Sequence, residues 1–458
     1  MGQSGRALKA SKDGNGAADV KRQVDSDVNN QRPIYQLVDV KSGGGKLIEL
    51  IKSKPKQWAS SSSSTSFGLS KSAEGGEELN LDANSVDQQI RNLVEPLLYN
   101  KGRGKLIALS ELWRIRLGRT EASEVDEKLG DEEEGDEDNY LDETCRRRLV
   151  CWKLSERGFV GETALHICFL LSSQSHMILA QKLLALFPAL INDIYTCDEY
   201  FGESSLHMAI VNENVRIVRL LLDHGACVHE RCLGSFFLPE DQKDKANNLI
   251  RRSFDRSKAN RFKAEQQQQQ NNKGEVDKKK KINQLFFDRK ELEQVDLQSN
   301  YLPVSSNYDG YVYWGEYPLS FAVSLGLVDC YKLLLAKGAN PNSQDSNGNA
   351  TLHFAVIANR IQMFDLSYSD GANLSLRNRQ NLTPLALAVK LRRVEMFFHI
   401  LTIQRQVNWL FCNNIGFVET PLIGIESVNM IDGTCDQSSA LSIVVSGVSI
   451  EQLAADNK

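Results

Sequence analysis

A mainly α-helical solenoid of short repeats is the fold class this sequence predicts, and three observations predict it. Five segments of the 458-residue chain align with one another: "GETALHICFL" from Gly161, "GESSLHMAIV" from Gly202, "GEYPLSFAVS" from Gly315, "GNATLHFAVI" from Gly348 and "NLTPLALAVK" from Asn381. The last three begin 33 residues apart. A second glycine (Gly225, Gly338 or Gly371) follows Gly202, Gly315 and Gly348 after 23 residues, where an apolar helical run needs a C-terminal stop.

Each unit therefore reads as a turn, a short helix, a longer helix and a glycine stop. A period of 33 with a T-P-L-H-like signature is that of ankyrin repeats, which stack helix pairs around a continuous core. The signature leucines Leu165, Leu206, Leu319, Leu352 and Leu385 are the expected core residues. A degenerate sixth repeat is expected over Thr402 to Val418, because a terminal repeat has to offer a different outer face.

Around the repeats, residues 1–86 read as a mostly flexible N-terminal region, with "WASSSSSTSFGLSKS" as a linker. Residues 87–120 carry helical periodicity in "DQQIRNLVEPLL" and "LIALSELWRIRLG" and form a short helical segment. Residues 121–144 are an acidic linker, with thirteen acidic residues against one lysine from Glu121 to Glu143. The ankyrin domain covers 145–418. Gly202 and Gly315 lie 113 residues apart, so the second and third repeats are separated by an insert, disordered over about 238–300 and rich in Gln and Lys. Residues 419–458 form a small linker domain, in which "GFVETPLIGIESVNMIDG" and "SALSIVVSGVSIEQL" read as two or three strands followed by the start of a helix.

Composition is that of a soluble globular protein, 41% hydrophobic and 25% charged, and a net charge of -5 argues against general nucleic-acid binding. Nine scattered cysteines without a CxxC pair fit a reduced, cytosolic setting. The start "MGQSGRALKASKDGNG" has neither an apolar signal-peptide core nor the Ser or Thr needed for myristoylation. No run reaches the ~18 apolar residues that cross a bilayer. The nearest, Thr163 to Gln181, is broken by "SSQSH" and reads as two buried helices.

Candidate chemistry is weighed against ordinary roles. His166, His207 and His353 are replaced by Ser320 and Ala386 in the other repeats, so a packing and hydrogen-bonding role outweighs catalysis. "HGACVHERC" places His224, Cys227, His229 and Cys232 at zinc-like spacing, but they coincide with a repeat's helix stop and turn. "SGGGKL" and "KGRGKL" do not match GxxxxGK[ST] and read as turns. The basic stretch "NLIRRSFDRSKANRFK" offers Leu249, Ile250, Phe254 and Phe262 to calmodulin or an anionic membrane, and "KKKKINQ" has the look of a nuclear signal; solvated disorder is the default for both. No cofactor, metal site or catalytic residue is expected, and the chain is not read as an enzyme.

Long, ordered blocks nevertheless carry a resemblance. "PIYQLVDVKSGGG", "VCWKLSERGFVGETALHICFL", "LINDIYTCDEYFGESSLHMAIVNE", "HERCLGSFF", "NYDGYVYWGEYPLSFA", "NSQDSNGNATLHFAV" and "NLTPLALAVKLRRVEMFFHIL" together resemble the vanilloid-type transient receptor potential (TRPV) channels, in particular their invertebrate sensory branch. The resemblance implies a tetramer whose subunits carry a cytosolic six-ankyrin domain, a β-stranded linker domain and, beyond them, six membrane helices and a pore loop. Gly161 to about Val418 would be the ankyrin domain and Gly416 to Leu453 the linker. The family's projecting finger loops would here include Asn192 to Phe201 and Glu230 to Trp314, with Tyr195, Tyr200, Phe201, Phe236, Phe237, Tyr311, Tyr313 and Trp314 as contact residues.

The sequence departs from the family in ending before any membrane helix, so the pore is absent from it. It also has Glu162 and Ile167 where some members use lysines to bind ATP or calmodulin, and it carries the long insert in the second finger. The function implied is the cytosolic ankyrin and linker portion of a calcium-permeable cation-channel subunit, acting in assembly and gating in sensory transduction. The alternative is a soluble ankyrin adaptor or pore-less regulator of channel subunits. Partners implied are other TRPV-like subunits, in a homo- or hetero-tetramer, and calmodulin as a candidate. The location implied is the cytosolic face of the plasma or ciliary membrane, or the cytoplasm if the chain ends at Lys458.

Overall fold

A computed structural model describes residues 33–38, 45–53, 77–116, 120–129, 147–243, 304–308, 310, 312–411, 415–419, 425 and 438–447. They fall into two compact units, one ending at Cys227 and the other beginning at Val228.

In the first unit, helix pairs α6 (Ala164–Leu171) with α7 (Gln174–Leu186) and α8 (Ser205–Val211) with α9 (Val215–Asp223) form two repeats. The short first helices carry apolar residues nearly all round, because they are covered on every side: Ala164 to Phe169 are all buried. By contrast α9 is amphipathic. Ile217, Val218, Leu221 and Leu222 face inward, at about 1.5–3 kcal/mol each, while Arg216 and Arg219 face solvent.

Ahead of the repeats lie α1 (Pro33–Leu37), α2 (Lys46–Lys52), α3 (Glu77–Val94), strand β1 (Lys105–Ala108), α4 (Leu109–Arg116), α5 (Ala122–Leu129) and strand β2 (Arg147–Val150). β1 and β2 pair antiparallel, with Lys105 opposite Val150. α2 packs on α7, and Lys182 of α7 holds Asp87 of α3 at 2.7 Å.

Two boundaries differ from the sequence reading here. The N-terminal region read as mostly flexible contains α1 and α2, and α3 starts ten residues before 87. Ile34 and Leu37, and Leu47, Ile48 and Ile51, recur at helical spacing and are buried, which repays their ordering. The acidic linker contains α5, because Val125 is buried and the Asp126 carboxylate accepts from Tyr99 Oη and, at 2.9 Å, from the Ser155 N–H. Residues 130–146 of that linker, "WASSSSSTSFGLSKS" and the first 32 residues lie outside the described residues.

The second unit holds three repeats: α10 (Pro318–Leu325) with α11 (Val328–Ala336), α12 (Thr351–Ile357) with α13 (Ile361–Ser369), and α14 (Pro384–Lys390) with α15 (Val394–Gln404). All five signature leucines are at most 3% exposed, which makes them core residues of their units.

Where a sixth repeat was expected, the chain forms an antiparallel hairpin of β3 (Gln406–Phe411) and β4 (Ile415–Glu419). "QVNWLF" and "IGFVE" are rich in β-branched and aromatic residues and hold no turn glycine followed by an apolar helical face, so pairing wins over a helix. Within "SALSIVVSGVSIEQL", read with the run before it as two or three strands followed by the start of a helix, "ALSIVVSG" is helix α16 (Ala440–Gly447), which packs on α14. Ser439 caps its start by accepting from the Ser442 N–H at 3.2 Å; tertiary packing outweighs the β-propensity of its isoleucine and valines. The insert read as disordered over about 238–300 is ordered through Lys243; residues 244–303 lie outside the described residues.

Candidate functional site

The signature histidines have a fully assigned role in the fold. In His166, Nδ1 accepts from the Thr163 N–H at 3.1 Å, so the proton sits on Nε2, which donates to the Asp193 carbonyl at 3.2 Å. His353 repeats the pattern, accepting from the Ala350 N–H at 3.2 Å and donating to the Leu382 carbonyl at 3.1 Å. One ring nitrogen satisfies an orphan donor at the helix start and the other ties the repeat to the turn beyond it. His207 accepts from the Ser204 N–H in the same way. Ser320 takes the first task with its hydroxyl, accepting from the Tyr317 N–H at 3.2 Å. Burial pushes His166 down to about 3, with Arg157's charge adding to it, and pushes His353 down to about 4.

His224 Nδ1 pairs with the Leu220 carbonyl at 2.8 Å in its own helix end, and among the described residues no group of three His, Cys, Asp or Glu side chains is placed to hold a metal. Of "SGGGKL", only Gly45 to Leu47 lie among the described residues, where Gly45 precedes α2, and "KGRGKL" turns through Gly102 and Gly104 into β1.

The first finger, between α7 and α8, is closed by backbone pairing: the Tyr195 N–H donates to Glu203 and the Gly202 N–H to Tyr195, at 2.9 and 3.1 Å. Phe201 is 5.3 Å from the Trp113 ring, and the Arg116 guanidinium lies over both rings while pairing with Asp198 at 2.7 Å. Tyr195 packs on His166 and Tyr200, at 4.6 and 5.8 Å between centroids.

The second finger is pinned at its base. Asp241 accepts from Ser306 Oγ at 2.9 Å and the Asn307 N–H at 3.1 Å, so the outgoing and returning legs meet. Gln380 and Lys390 donate to the Ser306 carbonyl at 3.0 and 3.1 Å, and Gln242 exchanges two hydrogen bonds with Asn347. Tyr313 stacks on Tyr308 and donates to Asp345 at 2.5 Å. Burial, with the Glu316 charge adding to it, pushes the Asp345 carboxyl up to about 7. Arg231 donates to Glu316 at 2.9 and 2.7 Å and to Ser346 Oγ at 2.9 Å.

Of the aromatic residues expected to make partner contacts, Tyr195, Phe201, Phe237 and Tyr313 are buried inside their own units, so a partner does not reach them directly; their bulk fixes the finger bases instead. Tyr200 and Trp314 are partly exposed. Phe236 is 39% exposed, with Lys243 Nζ 5.5 Å from its ring. Tyr311 lies outside the described residues. Sequence reasoning missed the polar residues that set the fingers, Asp241, Arg231 and Glu316. For Glu316 the signal is the recurrence of "GE" at the start of three repeats; Asp241 and Arg231 belong to no such pattern.

Comparison with known proteins agrees with this architecture. The pattern described as "Ankyrin repeats (3 copies)" matches residues 319–409, and that described as "Ankyrin repeat" matches 201–232. The chain is similar to transient receptor potential cation channel subfamily V member 5 of Rattus norvegicus, 28% identical over 194 residues, 42% of this chain and 17% of the relative. It is 28% identical over 209 residues to member 5 of Homo sapiens, 46% of this chain and 18% of the relative. A shorter stretch of 48 residues is 46% identical to member 2 of Homo sapiens, 10% of this chain and 6% of the relative. In each comparison the matched region spans less than a fifth of the relative's length. No helix among the described residues is long and apolar enough to cross a membrane.

Proposed function

We propose that this chain is the cytosolic ankyrin-repeat and linker portion of a TRPV-like, calcium-permeable cation-channel subunit that serves assembly and gating in sensory transduction. The observation that carries the reading is the similarity to subfamily V channels in a chain that carries ankyrin repeats. Two finger loops with rigid bases support it. A finger whose legs are tied by Asp241 and Ser306 holds Phe236 at a fixed place, so little ordering entropy is lost when a partner covers it. In a tetramer the fingers of one subunit would meet the β3–β4 hairpin of the next, and displacement of the repeats would bias the pore through the segment that follows the linker.

The partners on this reading are other subunits of the same type, homo- or hetero-tetrameric, with calmodulin as a further candidate, at the cytosolic face of the plasma or ciliary membrane. Cross-linking in the tissue that makes the protein, followed by membrane fractionation, tests it. Recovery of membrane-spanning channel subunits cross-linked to the fingers, reduced for Phe236→Ala, is the expected result. Cross-links only to non-channel proteins would replace it with an adaptor role.

A further inference from the structure

In the second to fifth repeats the second helix begins at Val215, Val328, Ile361 and Val394, each ten residues after the first, so its positions compare one by one. Its fifth residue is Arg219, Lys332 and Asp365 in the second, third and fourth repeats, a charged side chain exposed to solvent each time. In the fifth repeat it is Phe398, 61% exposed. A position that meets water as a charge elsewhere meets it here as a phenyl ring.

Phe398 does not stand alone. Val394, Phe398 and Leu401 follow one another along α15 at i, i+4 and i+7, which puts them on one face. Val394 is 61% exposed as well, and Leu401 is half-buried. The fold uses the other face, through Met396 and Ile400. His399 reaches Asp365 of the neighbouring α13 at 2.5 Å, so the two helices lie side by side. Tyr368, which stands in α13 where Leu401 stands in α15, is 41% exposed and adds to the apolar surface.

The two ends of this face carry opposite charges. Glu395 lies beside Val394 in the first turn, and Arg405 follows the last turn at i+11 from Val394. Both are exposed, and among the described residues neither has a hydrogen-bond or ion-pair partner. A second α15 laid antiparallel on the first sets Phe398 of each copy against Leu401 of the other. It also brings Glu395 of each copy to Arg405 of the other. A parallel pairing would bring like charges together at both ends.

We propose that this face of α15 pairs with the same face of a second copy of the chain, antiparallel across a two-fold axis. The 4-3-4 spacing of Val394, Phe398, Leu401 and Arg405 is that of a helix-pair seam, and a two-fold contact requires a surface that complements itself. Glu395 and Asp365 beside the strip oppose an anionic lipid surface as its cover. The helix has 11 residues and is about 16 Å long. A seam of that length falls below the ~1,200 Å² of a stable interface, so the contact belongs to the weak, concentration-dependent class. It lies apart from the fingers and does not depend on the channel reading.

The test is sedimentation velocity of the full chain from about 1 to about 200 µM, a range that brackets weak association. Wild-type protein should self-associate as concentration rises. Phe398→Asp, which gives that position a charge of the kind the fourth repeat carries there, should weaken association at least about tenfold. Glu395→Arg and Arg405→Glu should each weaken it about fivefold, because like charges then meet at both ends. An equimolar mixture of those two variants should return to within about twofold of wild type, since each copy again meets opposite charges. The melting temperature of all three should match wild type, as the altered side chains are exposed. If Phe398→Asp does not fold, the two charge variants and their mixture decide the matter. Wild-type protein that stays monomeric throughout, association unchanged by Phe398→Asp, or a mixture no tighter than its components overturns the inference.

Discussion

The guanidinium of Arg157 donates to the carboxylate of Asp193 at 3.1 Å, and neither side chain is more than 1% exposed. Asp193 also accepts from the Cys151 and Trp152 N–H groups at 2.9 Å each, while Arg157 reaches the carbonyls of Trp152, Gly161 and Ile194. This one pair joins the end of β2, the turn of the first repeat and the start of the first finger. Its geometry meets the condition under which a buried ion pair is tolerated, because nearly every lone pair and proton has a partner.

Removing one member strands the other. Asp193→Ala leaves a buried guanidinium uncompensated and two buried N–H groups unpaired, and should cost about 3–5 kcal/mol. Urea unfolding followed by circular dichroism measures it. A cost below about 1 kcal/mol would show that water or a rearranged partner replaces the carboxylate.

The buried histidines give a pH signature. His166 and His353 fall to about 3 and about 4 in the fold, below the ordinary value of 6.5 that they regain on unfolding. Between about 4 and 6.5 the unfolded chain therefore binds more protons, and stability is lost as pH falls through that window. Asp345 and Glu203, whose carboxyls burial holds up at about 7 and about 8, act in the opposite sense over the same window, so the histidine contribution is read by difference. His353→Gln should lower the melting temperature at pH 7, since it no longer closes both hydrogen bonds, and its deficit against the wild type should narrow as pH falls from about 6.5 to about 4.5.

Two glycines of the repeat should respond differently to alanine. Gly348 has φ +76° and a Cβ there would lie 2.7 Å from the Arg379 backbone nitrogen, whose N–H is engaged with the Asn347 carbonyl. Gly338 has φ +89° but nothing within 4 Å of a Cβ. Gly338→Ala should thus cost about 1 kcal/mol from backbone conformation alone, and Gly348→Ala at least about 2 kcal/mol. Equal costs by chemical denaturation would mean that the turn beside Arg379 gives way.

The second finger should tolerate loss of its insert. The legs that flank residues 244–303 are tied by Asp241 to Ser306 and Asn307. Replacing those residues with a short Gly-Ser linker should leave the melting temperature unchanged, whereas Asp241→Ala in the same background should lower it. A large drop from the replacement alone would show that the insert packs on the fold.

Most of the repeat architecture was legible beforehand because an ankyrin unit is encoded locally. The leucine, the helix-starting residue and the stop glycine lie within one period, and each of the five leucines is core. The finger residues were less legible. Aromatic character marked Tyr195, Phe201 and Tyr313 as notable, yet the same apolar surface that suits a partner also suits the unit's own core, and only packing tells the two apart. Phe236 and Phe237 are adjacent in sequence and differ tenfold in exposure, 39% against 4%.

By itself the sequence determined the number and phase of the clear repeats, their buried faces and the place of the insert, all of which follow from periodic spacing among near neighbours. Tertiary structure alone decided which donors meet which acceptors. Tyr35 reaches Glu162 across 127 positions, and Arg231 reaches Ser346 across 115. It also decided that "QVNWLF" pairs as a strand while "ALSIVVSG" lies on α14 as a helix. Short apolar runs have no strong intrinsic preference, so the surface against which they are buried chooses for them.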